Sequence, residues 1–340
     1  MAEHVQPAGY GMDAIARAAL ARAPAARSQL LRLGVSFALL ALLLVLVDLE
    51  TVWRVIASAR PELLALMFGC MVAERLFAAF RWLVLLRTVE PGVAYWPVLR
   101  VTLVSNFVGT FLPGGVGIEV LRVHGLARAM ADLPLALSSV LVERLCGLMA
   151  LVLLTVLGLT LAPVHLPDVI QVAVGMGLVT LLAAGAVLLH PWPRRIVRRV
   201  LALPRLAPVM QRLAGFERRI DAYARRPFAL TLSLALALAF QLLRVTTVVV
   251  GAYALGIDAS LTIFIAIVPI TILVALLPIS LGGLGAREAS YVALFGLAGV
   301  QPEAALVLAL AREAMQLLTT LPGAVLYARS PAPLKARPEP

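Results

Sequence analysis

Apolar residues in this chain follow neither the alternation of a half-buried strand nor the single stripe of a surface helix. They run on almost unbroken for about 15 to 28 positions at a time. The runs cover roughly 33–52, 61–86, 98–112 with 115–130, 135–161, 169–190, 228–255, 261–281 with 285–298, and 303–327. Several approach the ~20 residues that carry a helix across a bilayer. A transmembrane barrel would show alternating segments of ~10 residues instead. The pattern predicts an all-α, polytopic helical membrane protein, in which two of the segments are broken in the middle.

Composition agrees. The chain is 62% hydrophobic and 14% charged over 340 residues, which excludes a soluble domain of this size. The net charge of +11 comes almost wholly from arginine, with Lys335 the single lysine. These charges cluster between apolar runs, so the positive-inside rule explains them and nucleic acid is not an expected partner. Ten arginines face Glu217 and Asp221 in the connection 191–227, which is therefore expected in the cytoplasm. So are the N-terminal tail 1–28 and the tail 329–340. The lead with Arg17, Arg22, Arg27 and Arg32 is long for a signal peptide, so an uncleaved first span is expected in preference to cleavage near Ala57-Ser58-Ala59.

Crossing parity then constrains the broken segments. Four spans up to residue 190 return the chain to the cytoplasm only if 98–130 enters and leaves on one side. The same holds for 261–298 in the second half. Each is expected to be a re-entrant hairpin or a pair of short spans, and parity does not separate the two.

The broken segments resemble one another. Gly114-Gly115-Val116-Gly117 and Gly282-Gly283-Leu284-Gly285 lie 168 residues apart, and the same offset puts Pro134 on Pro302 and Arg144 on Arg312. Leu112-Pro113 meets Leu277-Pro278 once three residues are inserted, and Arg75 and Arg244 precede the glycines at similar distances. Three crossings between equivalent points predict an inverted repeat, about 61–161 and about 228–327, of the kind that places a substrate site near the membrane midplane. Glycine permits a tight reversal and proline ends the first half-helix. The expected hairpin tips are Pro113, Gly114, Gly115 and Gly117, and Pro278, Gly282, Gly283 and Gly285. Close packing of helices through small residues is the competing explanation.

Charges interrupt the spans: Arg75, Arg81, Arg122, Arg144, Arg244, Arg287 and Arg312 against Glu74, Glu119, Glu143, Glu288 and Glu313. Each costs ~2.5–3.5 kcal/mol at the bilayer centre on insertion scales, so such residues face the interior and pair. They could merely bridge the two halves, and Arg81 and Arg122 could snorkel to an interface. Full pairing nevertheless leaves arginine over, and guanidinium binds phosphate by two hydrogen bonds. The expected substrate-binding set is Arg75, Arg144, Arg244, Arg287 and Arg312 with Glu74, Glu143, Glu288 and Glu313. Within it, Arg144 and Arg312 face the cavity, glutamates orient them, and Glu288 pairs with Arg287. No phosphate-binding GxxxxGK[ST] loop, GxSxG elbow or HExxH motif occurs, Cys70 and Cys146 lie in apolar runs, and Ser280 has no histidine near it in sequence. No catalytic role, metal or cofactor is expected.

With "SNFVGTFLPGGVGIEVLR" (105–122), "LVERLCGL" (141–148), "LPISLGGLGAREA" (277–289) and "ALAREAMQL" (309–317), the chain resembles the transmembrane region of lysylphosphatidylglycerol synthases and the stand-alone flippase-like proteins related to it. The likeness spans roughly 30–328. The first copy departs from the second in lacking the Ser-Leu insert and in having Ile118-Glu119 in place of Arg-Glu. The resemblance implies a flippase-like domain over 29–328 that moves lipid between leaflets. It also implies no aminoacyl transfer, since only a short proline-rich tail follows. The leading expectation is a flippase for an anionic phospholipid or a phosphate-linked isoprenoid. The alternative is a non-catalytic partner presenting lipid to a separate glycolipid, hopanoid or lipid-modifying enzyme. A membrane transferase using Glu119 or Glu288 as base, and a small-molecule transporter, are the other competitors. Abundant Arg and Ala with almost no Lys suggest a bacterial inner membrane.

Overall fold

In the computed structural model, every regular element among the described residues is a helix. The description covers residues 48–110, 116–162, 167–189, 207–276 and 283–329, with scattered positions between 34 and 47. The N-terminal tail, the C-terminal tail beyond Arg329, most of the first predicted span, Ser280 and the expected tip residues Pro113, Gly114, Gly115, Pro278 and Gly282 lie outside the described residues. The helices are α1 (Leu49–Ala57), α2 (Pro61–Val89), α3 (Tyr95–Thr110), α4 (Val116–Met130), α5 (Leu133–Leu161), α6 (Asp168–Leu189), α7 (Ala207–Ala224), α8 (Pro227–Ala254), α9 (Leu261–Leu276), α10 (Ala286–Leu297) and α11 (Pro302–Ala328).

Length sorts them. α2, α5, α6, α8 and α11 are each long and apolar enough to cross a membrane. At 1.5 Å per residue they reach about 33–44 Å, against ~30 Å of hydrocarbon. α3, α4, α9 and α10 reach only about 18–24 Å. These four are the two broken segments, and none is long enough to span by itself.

Local chemistry sets the boundaries. α2, α5, α8 and α11 all carry proline in their first turn, where its missing N–H costs nothing and its fixed φ suits the helix. α5 is also capped by Asp132, whose carboxylate accepts from Leu135 N–H at 2.8 Å. Two boundaries differ from the sequence expectation. The run predicted to continue to 52 breaks at Val47-Asp48, because Asp48 caps a separate short helix, accepting from Glu50 and Thr51 N–H. The basic connection 191–227 is not all loop. α7 lies within it and buries Ile220 and Tyr223 against Leu85 and Val142, while Arg219 pairs with Asp132 and Glu90.

The packing repeats. α2 lies antiparallel against α8, with Arg60 N–H bonded to Ala254 O at 2.8 Å at one end and Phe77 facing Phe240 further along. Around that pair, every neighbour relation in residues 61–161 has a counterpart in 227–328. α3 packs on α4 as α9 does on α10, and α4 on α5 as α10 on α11. Crossing between halves, α3 packs on α11 as α9 does on α5.

Glycines make those last two contacts close. A Cβ at Gly158 of α5 would run into the backbone of Ala266 in α9, and one at Gly323 of α11 into the carbonyl of Leu103 in α3. Backbone approach of this kind is how helices gain contact energy in lipid, where expulsion of water contributes nothing. Fully buried Phe264, Tyr291 and Phe295 fill the second half, and Trp82 the first. By contrast α6 buries only Val174, as a helix with lipid on most sides does.

Candidate functional site

Two clusters of charged side chains sit inside the helical bundle. The first joins α2, α4 and α5. Arg81 pairs with Glu143, Arg122 bonds Glu143 at 2.8 Å and Glu119 at 3.4 Å, and Arg144 reaches Glu119 at 3.3 Å. Three arginines thus share two carboxylates. The excess is spread over aromatic faces: Arg122 stacks on Trp82 at 4.1 Å and Arg81 on Phe240 at 5.0 Å, a contact worth ~2 kcal/mol when desolvated. Some donors remain unmet, since Nε and Nη1 of Arg81 and Nε of Arg122 are buried without an acceptor.

The second cluster gathers α2, α8, α10 and α11. Arg287 pairs with Glu313. Arg75, the middle residue of α2, donates from Nε to the Thr319 hydroxyl at 3.3 Å, and that hydroxyl donates to Gln316 O. Glu74 accepts from the Thr247 hydroxyl at 2.5 Å. Arg244 lies 5.7 Å from the Phe240 ring centroid, so this ring is shared by Arg81 of the first cluster and Arg244 of the second. Arg312 is only 3% exposed. Arg75 and Arg244 lie within electrostatic reach of each other and of Arg287, Arg312 and Glu74, and Arg312 within reach of Glu74, Glu288 and Glu313. Among the described residues, no carboxylate comes within ion-pair distance of Arg75, Arg244 or Arg312.

Glu288 does not pair with Arg287 as its sequence neighbour suggested. It is fully buried and turns back on its own helix, where Oε2 accepts from Gly285 N–H at 2.6 Å. Its other oxygen has no partner. Gly285 (φ +81) and Gly283 (φ +88) hold the left-handed backbone that starts α10, a conformation open to glycine at no steric cost. Gly117, the described member of the first tip, lies in the opening turn of α4.

The expected set is thus divided in two. Arg144 and Glu143 belong to the first cluster, and Arg144 is oriented by Glu119, not by its neighbour Glu143. Arg75, Arg244, Arg287, Arg312, Glu74, Glu288 and Glu313 belong to the second. Nor do the ion pairs of Glu143 and Glu313 bridge the halves: each stays within its own. Thr247, Thr319 and Phe240 escaped the sequence reading. A helical-face argument finds the two threonines, since Thr247 lies three residues after Arg244 and Thr319 seven after Arg312. The described residues contain no group of His, Cys, Asp and Glu able to hold a metal.

Among the described residues, five membrane-length helices, four half-length ones and an arginine-rich interior define a polytopic α-helical membrane protein. The chain belongs to the family of the lysylphosphatidylglycerol synthase TM region, whose model matches residues 29–323. This is a membrane domain of lipid-related function. No protein of curated function and no solved structure matches the chain.

Proposed function

We propose that this protein moves an anionic lipid, either a phospholipid or a phosphate-linked isoprenoid, between the leaflets of a bacterial inner membrane. The observation that carries the proposal is the trio Arg75, Arg244 and Arg312, held at membrane depth with no carboxylate paired to any of them. A guanidinium with no carboxylate paired to it is costly there. A lipid phosphate supplies both the missing charge and a bidentate acceptor. In this reading the two broken segments are re-entrant hairpins related by an inverted repeat, both chain ends are cytoplasmic, and exchange occurs by alternating access around the tips. The glutamates hold arginines or cap a helix, so no reaction is assigned to the chain. Its partners are membrane lipids and the lipid-synthesising enzyme that supplies them.

The test is leaflet exchange of a fluorescent anionic lipid in proteoliposomes. Wild type should catalyse it, and Arg75→Ala, Arg244→Ala and Arg312→Ala should each slow it by about tenfold or more, as loss of a hydrogen bond to a charged group predicts. Unaltered melting would show that the fold is retained. A well-folded wild type that exchanges no lipid, with or without a proton gradient, would instead favour a protein that presents lipid to a separate enzyme.

A further inference from the structure

A groove of about 600 Å³ runs along the outer side of the first hairpin, between α3 and α4 and under Tyr327 at the end of α11. It extends from Trp96 to Val108, about 18 Å along the helix. That is close to the ~15 Å depth of one leaflet's hydrocarbon. Val101, Val104, Val108, Leu121 and Ala129 line it beside Arg100, His124 and Arg128, the titratable groups besides Tyr327, and among the described residues no carboxylate lines it. Gly125 brings the two helices together at the floor, where a Cβ would press on Val101.

The second half offers a comparison for this face. With the three-residue insert before the glycines, Arg100 corresponds to Ile265. At the offset of 168, His124 and Arg128 correspond to Val292 and Gly296. There Ile265 and Val292 pack onto a core containing Phe264, Tyr291 and Phe295. The corresponding positions are therefore apolar in one half, with Ile265 and Val292 partly buried and Gly296 exposed, and cationic in the other. Snorkelling arginines near a helix end would explain the charge alone. They do not explain an accompanying groove of leaflet depth.

We infer that this groove is a binding site for a resident anionic glycerophospholipid of the adjoining leaflet, separate from the central arginine trio. One acyl chain lies against the valines of α3, and the phosphate sits among Arg100, His124 and Arg128. With both chain ends cytoplasmic as proposed above, the adjoining leaflet is the cytoplasmic one, while the site itself does not rest on that orientation. None of Arg75, Arg244 and Arg312 lines the groove.

Trp96, 58% exposed at the mouth, is the reporter. The full chain would be placed in nanodiscs of phosphatidylcholine carrying a rising fraction of either brominated phosphatidylglycerol or brominated phosphatidylcholine. The Trp96 signal is the difference between wild type and Trp96→Phe. Brominated phosphatidylglycerol should quench it at a markedly lower fraction than brominated phosphatidylcholine does. Arg100→Gln with Arg128→Gln should erode that preference by about fivefold per charge removed, while Arg312→Ala should leave it intact. Equal quenching by the two lipids, or a preference that survives the double substitution, would reduce the arginines to interfacial anchors and overturn the site. Loss of the preference in Arg312→Ala would overturn its separateness. A preference in a wild type that moves no lipid would leave the groove standing and count only against transport.

Discussion

Glu143 is the residue on which the first cluster depends. It neutralises Arg81 and Arg122 together, and its side chain is only 4% exposed. Removing one partner of a buried ion pair costs ~3–5 kcal/mol, because the other charge stays behind. Glu143→Gln should therefore lower the melting temperature in detergent far more than Arg144→Ala, whose side chain is 39% exposed and bonded to Glu119 alone. The corresponding pair in the second half is reversed: Glu119 lies at the position of Arg287, and each pairs with the following long helix. Charge balance at this joint matters more than which helix bears which sign. The double exchange Glu119→Arg with Arg144→Glu should accordingly melt closer to wild type than Glu119→Arg alone. The residue types and their depth were legible in the sequence, but the partners were not. Arg81 meets Glu143 across 62 positions, and only the packing of α2 against α5 brings them together. Glu288 misled for a related reason, since adjacency along a helix points two side chains in different directions.

At the scale of the element, most of the helical layout could be read in advance. Unbroken apolar runs and first-turn prolines mark the long helices, and the glycine runs mark the breaks. α7 was hidden because ten arginines dominate its region. Its signal was the spacing of Phe216, Ile220 and Tyr223, the i, i+4, i+7 pattern of one helical face. The glycines that matter most for packing were equally inconspicuous. Gly158 and Gly323 belong to no motif, yet each lets a long helix touch the first helix of the opposite hairpin. Gly158→Val or Gly323→Val should cost ~1–3 kcal/mol by overpacking, seen as a lower melting temperature. Gly175→Val, on lipid-facing α6 with nothing within 4 Å of an added Cβ, should not.

For the whole molecule, the return of each broken segment to the side it entered from has a direct test. In a chain with Cys70 and Cys146 replaced by alanine, Gly92→Cys and Ala129→Cys flank the first hairpin at exposed positions, and Asp258→Cys and Gln301→Cys flank the second. Membrane-impermeant thiol labelling of oriented vesicles should find residues 92 and 129 on one face and 258 and 301 on the other. Opposite faces for either flanking pair would mean an odd number of crossings between them and would remove the hairpins. The exchange of α3 onto α11 and α9 onto α5 has a further consequence. Each half lends the first helix of its broken segment to the other, as protomers do in a domain-swapped dimer, so a half made by itself has a vacancy where the borrowed helix belongs. A protease site placed between residues 190 and 206 should yield two fragments that purify together. Either fragment made singly should be lost to degradation. By this architecture the polypeptide is a dimer sewn into one chain.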